Sequence, residues 1–282
     1  KDHISHLGNT LKEIAFEKAS IIKEHGTVFA IKEGKKVHEI IKKISQQKSA
    51  DARFLGEHFN VKKGAKRASI QSINFRNQNV CFKNLELSLL GRFQANNAAL
   101  ALSACLHYGN KTGKEISEKS IRKGLKSTIW HGRMEVISSH PTMLLDIAHN
   151  PAAVKEMAKS VEELFEYKKV IVILGIMKDK QTEDILKKLS TFAGHFILVR
   201  PNHWRSENPV RLKEIISKYN ASCEIIENIQ KAIKKAKQTA LPDDMVCITG
   251  SIFTVGEAKQ YLEDEFNYKT NNTPPTFSHP NR

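Results

Sequence analysis

The second half of the chain alternates two patterns without a break. Short apolar runs at 143–145, 170–174, 196–199, 224–226 and 245–249 are separated by amphipathic stretches at 151–165, 182–189, 210–219, 229–240 and 253–266. A short apolar run bounded by turn residues reads as a strand buried on both faces, and the 3.6-residue periodicity between such runs reads as helix. Strands alternating with helices pair in parallel, with helices covering both faces of the sheet. The expected fold is therefore α/β, and its second part a doubly wound, Rossmann-like domain.

The first half is less regular. Thr10-Leu11-Lys12-Glu13 has the form of a capping box. Leu11, Ile14, Ala15, Ala19 and Ile22 then line one face of a helix expected to stop near Gly26. A strand over 27–31 and a Lys-rich helix to about 47 follow, then short strands over 52–90, with 69–75 and 79–89 as a hairpin, and helices at 95–108 and 117–126. The change of rhythm puts a domain boundary near Trp130, giving domains 1–129 and 130–268, and the Pro-containing polar stretch 269–282 is expected to be disordered.

The net charge of +15 raises the question of a nucleic-acid partner. Lysine supplies 35 of the 45 basic residues, spread along the chain and densest where apolar residues recur at helical spacing. Solvated helix faces account for that pattern, no nucleic acid is expected, and positive potential suits small anionic substrates. No run is apolar and long enough to span a membrane, and no signal-peptide pattern opens the chain. Cys81, Cys105, Cys223 and Cys247 lie far apart in apolar stretches, so buried, reduced thiols and a cytoplasmic location are expected. The opening Lys1-Asp2-His3, without Met and inside what reads as a site, leads us to expect that an amino-terminal part is missing.

In a doubly wound sheet, ligands bind beyond the carboxyl ends of the strands. Three such ends carry polar residues. In Leu145-Asp146-Ile147-Ala148-His149-Asn150-Pro151 an acid ends an apolar strand, and Asn150 stands ready to cap a helix opening on Pro151. In Gly175-Ile176-Met177-Lys178 the glycine permits close backbone approach and the lysine can meet an anion. Thr249-Gly250-Ser251 joins a buried strand to a helix. Taken singly, each also reads as ordinary turn or loop chemistry.

The motifs together go further. Asp2-His3 with Leu7-Gly8-Asn9-Thr10-Leu11, Ile14-Ala15 and Glu17-Lys18-Ala19 resembles the signature segment of the folylpolyglutamate synthase/dihydrofolate synthase family, in the Mur ligase superfamily. Gln94-x-x-Asn97 resembles the family's Gln-x-x-Asn helix, and Trp130-His131-Gly132-Arg133-x-Glu135 its Trp-Pro-Gly-Arg-x-Glu linker, with His131 in place of Pro. The three strand ends match further blocks in order, so the resemblance spans almost the whole chain. It implies a remnant of a P-loop-type ATPase domain followed by a complete carboxy-terminal ligase domain. The implied enzyme is a monomeric ADP-forming ligase in folate biosynthesis. It would join L-glutamate to dihydropteroate or folylpolyglutamate through an acyl phosphate, with ATP and Mg²⁺. By the same resemblance His3 ligates magnesium, Lys18 is carbamylated, and Asn97, Arg133 and Asp146 hold ATP. His149 lies near the transferred phosphate, and Lys178 and Ser251 near the incoming glutamate.

The family's phosphate-binding loop has no counterpart here. Gly109-Asn110-Lys111-Thr112-Gly113-Lys114-Glu115 has the wrong spacing, ends on Glu and follows a helical pattern rather than a strand. An incomplete, inactive portion of the enzyme is therefore expected. A peptidoglycan-type Mur ligase and a non-catalytic basic binding module are the alternative readings.

Overall fold

In the computed structural model, residues 10–67 and 70–266 are described, so Asp2, His3 and the 269–282 tail lie outside the described residues. The chain forms two units: Lys1–Lys66 with Gln71–Leu87 and Phe93–Ser127, and Thr128–Arg282 with Arg67–Ile70 and Ser88–Arg92.

The first unit opens on helix α1, Leu11–Ala19. Its capping box forms as the sequence implies: Thr10 Oγ1 accepts from Glu13 N–H at 3.2 Å, and Glu13 Oε2 accepts from Thr10 N–H at 3.1 Å. The helix ends seven residues before Gly26, earlier than its apolar spacing suggests, and Ile22 packs from the turn that follows. Strand β1, Thr27–Ala30, pairs in parallel with β2, Asp51–Phe54, across helix α2, Gly34–Gln47. Three strands follow, β3 Phe59–Arg67, β4 Ile70–Asn77 and β5 Cys81–Leu87, in the order β3-β4-β5. The expected hairpin is β4–β5, which is antiparallel. Ile73, Phe75, Phe82 and Leu85 from this sheet pack on Ala95, Ala99 and Leu102 of helix α3, Gln94–Thr112. Ile121 of α4, Glu118–Ser127, closes that core. The string from Gly109 to Glu115 is the end of α3, with Gly113 in the left-handed region as its cap, and not a phosphate loop.

The second unit is built on a six-stranded sheet. Its elements are β6 Glu135–Ser139, β7 Thr142–Leu145, α5 Pro151–Leu164, β8 Val170–Leu174, α6 Thr182–Ser190 and β9 His195–Leu198. They continue with α7 Pro209–Ser217, β10 Cys223–Ile225, α8 Ile229–Thr239, β11 Met245–Thr249 and α9 Ile252–Phe266. The strand order is β10-β9-β8-β11-β7-β6, all parallel except β6, which runs antiparallel to β7.

Period-two alternation assigns each buried strand residue to one face. Leu144, Val172, Leu174, Phe196, Leu198 and Cys247 face α5, α6 and α7, while Leu145, Ile171, Ile173, Ile197, Val246 and Ile248 face α8 and α9. Helices on both faces explain why these strands read as unbroken apolar runs. Burial of each such side chain contributes about 1.5–3 kcal/mol. The exposed Lys231, Lys234 and Lys235 of α8 lie on its outer side, as solvated helix charge.

Two expectations need correction. Strand β6 makes the sheet mixed rather than purely parallel; it ends in Ser138-Ser139 and carries a register shift against β7, so it shows no clean strand pattern. Cys247 is buried and Cys223 partly so, but Cys81 and Cys105 are exposed. Cys81 opens an edge strand and Cys105 faces outward from α3, where local apolar composition does not set orientation.

Candidate functional site

Sheet order brings the three singled-out strand ends together, because β11 lies between β8 and β7. Backbone bonds stitch them. Asp146 N–H donates to Ile248 O at 3.1 Å, Gly250 N–H to Ala148 O at 3.2 Å, and Gly175 N–H to Thr249 O at 3.3 Å. Gly250 has φ +104°, and a Cβ there would fall 2.6 Å from Gly175 O. Only glycine holds this junction closed.

Asp146 is 3% exposed, and both carboxylate oxygens are used. Oδ2 accepts from Met134 N–H and Oδ1 from Ala148 N–H, each at 2.9 Å. Burial pushes its carboxyl up to about 6, against the opposing pull of those two N–H groups and of the Arg133 and His149 charges. Arg133 is partly exposed. It stands between Gly132 and Met134, both at positive φ, in a tight turn that aims the Met134 N–H at Asp146.

Glu135 anchors this turn. Its carboxylate accepts from Gly132 N–H at 2.7 Å, meets His131 Nδ1 at 2.9 Å and accepts from Lys259 Nζ of α9 at 2.7 Å. Burial alone would raise the Glu135 carboxyl; the bonds from Lys259, Gly132 and His131 outweigh it and hold the group below its usual range. His131 thus finds a use where the related motif has Pro.

Next to Asp146, Asn150 caps α5, its Oδ1 accepting from Ala153 N–H at 2.8 Å, with Pro151 at the first turn. Pro151 has no N–H and Asn150 takes that of Ala153, so it is chiefly the dipole of that helix end that favours an anion. His149 Nδ1 lies 2.9 Å from Ile147 O, a contact in which the ring nitrogen carries the proton.

Ser251 is buried and caps α9: its Oγ accepts from Thr254 N–H at 3.0 Å and meets Thr254 Oγ1 at 2.8 Å, while Thr254 Oγ1 donates to Gly175 O at 2.8 Å. Lys178 is exposed, and its N–H donates to Arg205 O at 2.8 Å, tying the loop after β8 to the loop after β9. Arg133, Asp146, His149, Lys178 and Ser251 thus share one end of one sheet.

In the first unit, Asn97 lies in the first turn of α3 and donates to Gln94 Oε1 at 3.0 Å. Lys18 is exposed on α1. His3 lies outside the described residues. Among the described residues, no three His, Cys, Asp or Glu side chains cluster as a metal-ligand set.

Sequence reasoning missed the positioning groups Glu135, Lys259 and Thr254. Glu135 stood in a quoted motif, but its partner lies 124 residues further along the chain, and no local pattern links the two.

The profile of the Mur ligase glutamate ligase domain matches residues 132–252. The dihydrofolate synthase/folylpolyglutamate synthase of Bacillus subtilis is 28% identical over 269 residues, covering 93% of this chain and 60% of its own length. The structure of Thermotoga maritima folylpolyglutamate synthase superposes with a TM-score of 0.78 at 27% identity, over 94% of this chain and 59% of that one. Escherichia coli FolC, solved with DHPP and ADP, gives a TM-score of 0.82 at 24% identity, over 94% and 60%. The chain therefore spans about 60% of the length of the relatives it matches. No helix among the described residues is long and apolar enough to cross a membrane. The chain thus carries a match to the Mur ligase glutamate ligase domain over residues 132–252 and is similar, over almost its whole length, to the folylpolyglutamate synthase/dihydrofolate synthase family of the Mur ligase superfamily.

Proposed function

We propose that this chain is part of a cytoplasmic, monomeric, ATP-dependent ligase that joins L-glutamate to dihydropteroate or to a folylpolyglutamate. Residues 1–129 would belong to its ATP-binding domain and 130–268 to its carboxy-terminal ligase domain. The observation that carries the reading is Asp146, buried and held by two backbone N–H groups, with Arg133 and His149 beside it and a helix start two residues further on.

These groups suit a nucleotide. Arg133 meets phosphate charge, Asp146 accepts hydrogen bonds, and the α5 N-terminus adds its dipole. Asn97 is a further residue that would hold ATP. The ligase reaction moves the terminal phosphate of ATP to a substrate carboxylate, and the glutamate amine then displaces phosphate from that acyl phosphate. Negative charge builds up at each step, and fixed cations lower its energy. His149, with Nδ1–H given to Ile147 O, is held near the transferred phosphate, and Lys178 offers an ammonium to the carboxylates of glutamate. Because its hydroxyl is taken up by the α9 cap, Ser251 would act on glutamate through the shape of that helix start.

Magnesium is a different matter. Lys18 as a carbamate would add oxygen ligands, and it is the one candidate ligand among the described residues. In the whole, magnesium-loaded enzyme, carbon-13 NMR in labelled bicarbonate should show a carbamate resonance that disappears in Lys18→Arg; an unchanged spectrum rejects the assignment.

The nucleotide reading is tested by calorimetric titration of the chain with ADP. Saturable binding is expected, weakened at least about tenfold by Arg133→Ala, the scale of losing a hydrogen bond to a charged group, about 1.5–3 kcal/mol. Equal affinity in both proteins removes Arg133 from the site. In the whole enzyme of which this chain is proposed to be part, formation of the glutamyl amide from dihydropteroate, and not from a nucleotide-sugar acceptor, separates the folate reaction from that of a peptidoglycan ligase.

A further inference from the structure

The first unit contains a cavity of about 410 Å³ that the proposed reaction does not use. It lies between the beginning of β2, the second half of α3 and the turn joining β4 to β5. Its volume falls within the range of small-molecule sites.

The floor is aromatic. Phe29 and Phe59 meet edge to face with centroids 6.2 Å apart, and the His107 ring stands 5.7 Å from Phe29. The walls are polar but carry little uncompensated charge. Arg53 Nε bonds Asp51 Oδ2 at 2.6 Å, and its guanidinium lies 5.9 Å from the centre of the Phe29 ring. His58 Nδ1 accepts from Phe54 N–H at 3.1 Å, which fixes a neutral tautomer with the proton on Nε2. Burial, reinforced by the Arg53 charge, lowers the His107 pKa, so this ring too is neutral near pH 7. Asn77 and Asn110 line the cavity. Asn77 Oδ1 accepts from the N–H groups of Asn79 and Val80, which leaves its amide N–H₂ to donate.

This lining selects among ligands. Phosphate or carboxylate would have to compete with Asp51 for the lining's arginine. An aliphatic group would leave the amides and imidazoles without partners, at about 1–3 kcal/mol for each group buried unpaired. A flat ring bearing ring nitrogens and exocyclic donors and acceptors satisfies both floor and walls, because the Asn110 carboxamide can pair with such an edge at two points, the Asn77 N–H₂ can donate to a ring acceptor, and rings pack on aromatic faces.

We propose that the cavity binds a neutral planar heteroaromatic ring of nucleobase or pterin type, packed on the partly exposed Phe29, which Phe59 backs from the core, and read at its edge by Asn110 and the N–H₂ of Asn77. The site is independent of the Asp146 cluster, which lies in the other unit.

The test is titration of the chain with adenosine, guanosine and 6-methylpterin, with ribose 5-phosphate and cyclohexanol as ring-free controls, followed by calorimetry and ligand-observed saturation transfer. At least one ring should bind with Kd of about 1 mM or tighter, with saturation transferred to its ring protons, and the ring-free controls should not bind. Nucleosides binding without the pterin assigns a nucleobase, the reverse assigns a pterin, and either supports the site. Asn110 is exposed, so Asn110→Ala should fold; it should weaken ring binding at least tenfold and leave Arg133-dependent ADP binding unchanged. Binding by none of the rings, equal binding of ribose 5-phosphate, or ring binding indifferent to both Asn110→Ala and His107→Leu overturns the proposal. Loss of ADP binding alone, with ring binding kept, counts against the nucleotide reading and not against this one.

Discussion

Gly250→Ala destabilises the second unit by about 3 kcal/mol or more. At φ +104° an L residue costs about 1–3 kcal/mol in backbone strain. The added methyl would also fall 2.6 Å from Gly175 O and 2.8 Å from a Leu174 methyl carbon. Both neighbours are fixed, the carbonyl by its hydrogen bond from Thr254 Oγ1 and Leu174 by a core in which it is fully buried. Relief requires β8 and β11 to separate at the point where the candidate site is assembled, and such overpacking costs about another 1–3 kcal/mol. Urea unfolding followed by circular dichroism should show a lower midpoint at unchanged slope. Gly113→Ala is the control: it also has positive φ, but a Cβ there meets nothing within 4 Å, so only the strain is added. Equal losses in the two variants would show that the β8–β11 junction is not tight.

Asp146→Asn changes how stability depends on pH. The carboxyl titrates near 3.8 when unfolded and at about 6 in the folded protein. Folding therefore favours the protonated form. The stability this contributes is complete below about pH 3.8 and is lost as pH rises to about 6, roughly 3 kcal/mol in all. In the wild type this loss is added to whatever other groups do over the same range. The difference between wild type and Asp146→Asn isolates it: relative to the variant, the wild type should lose about 3 kcal/mol between pH 4 and pH 7. A constant offset is also expected, because an amide has one acceptor oxygen for the two N–H groups of Met134 and Ala148. Parallel stability curves for the two proteins would mean that Asp146 is ionised throughout and less buried than described.

The parts of this molecule visible in its sequence are those written locally. The runs at 170–174 and 245–249 are buried on both faces and could be little else than central parallel strands. Thr10 and Glu13 spell out a helix start, and Asn150-Pro151 another. Asp146, Lys178 and Ser251 were found because strand ends in such a sheet hold ligands, so alternation alone narrowed the search. Tertiary geometry could not be found in this way. That β11 separates β7 from β8 depends on which edges remain open once the helices are placed. The Glu135–Lys259 pair joins residues far apart in sequence, and the hydroxyl of Ser251 turned out to be used in capping its own helix. Cys105 shows the opposite error: its apolar neighbours are buried, but its own position on α3 points outward.

The sheet order also has a temporal side. The strand at the middle of the sheet is the last to be synthesised: β8 ends at Leu174, and β11 begins about 70 residues later, at Met245. At ribosomal rates of about 5–20 residues per second, roughly 4 to 14 s pass between them. Throughout that interval the nascent chain has a slot in its sheet where two parallel strands await a common neighbour. Both lips of the slot expose unpaired backbone groups flanked by Val, Ile and Leu, a combination that invites pairing with other chains. A message cut short before codon 245 would make a protein open at its centre rather than frayed at its end, a natural client for chaperones and proteases.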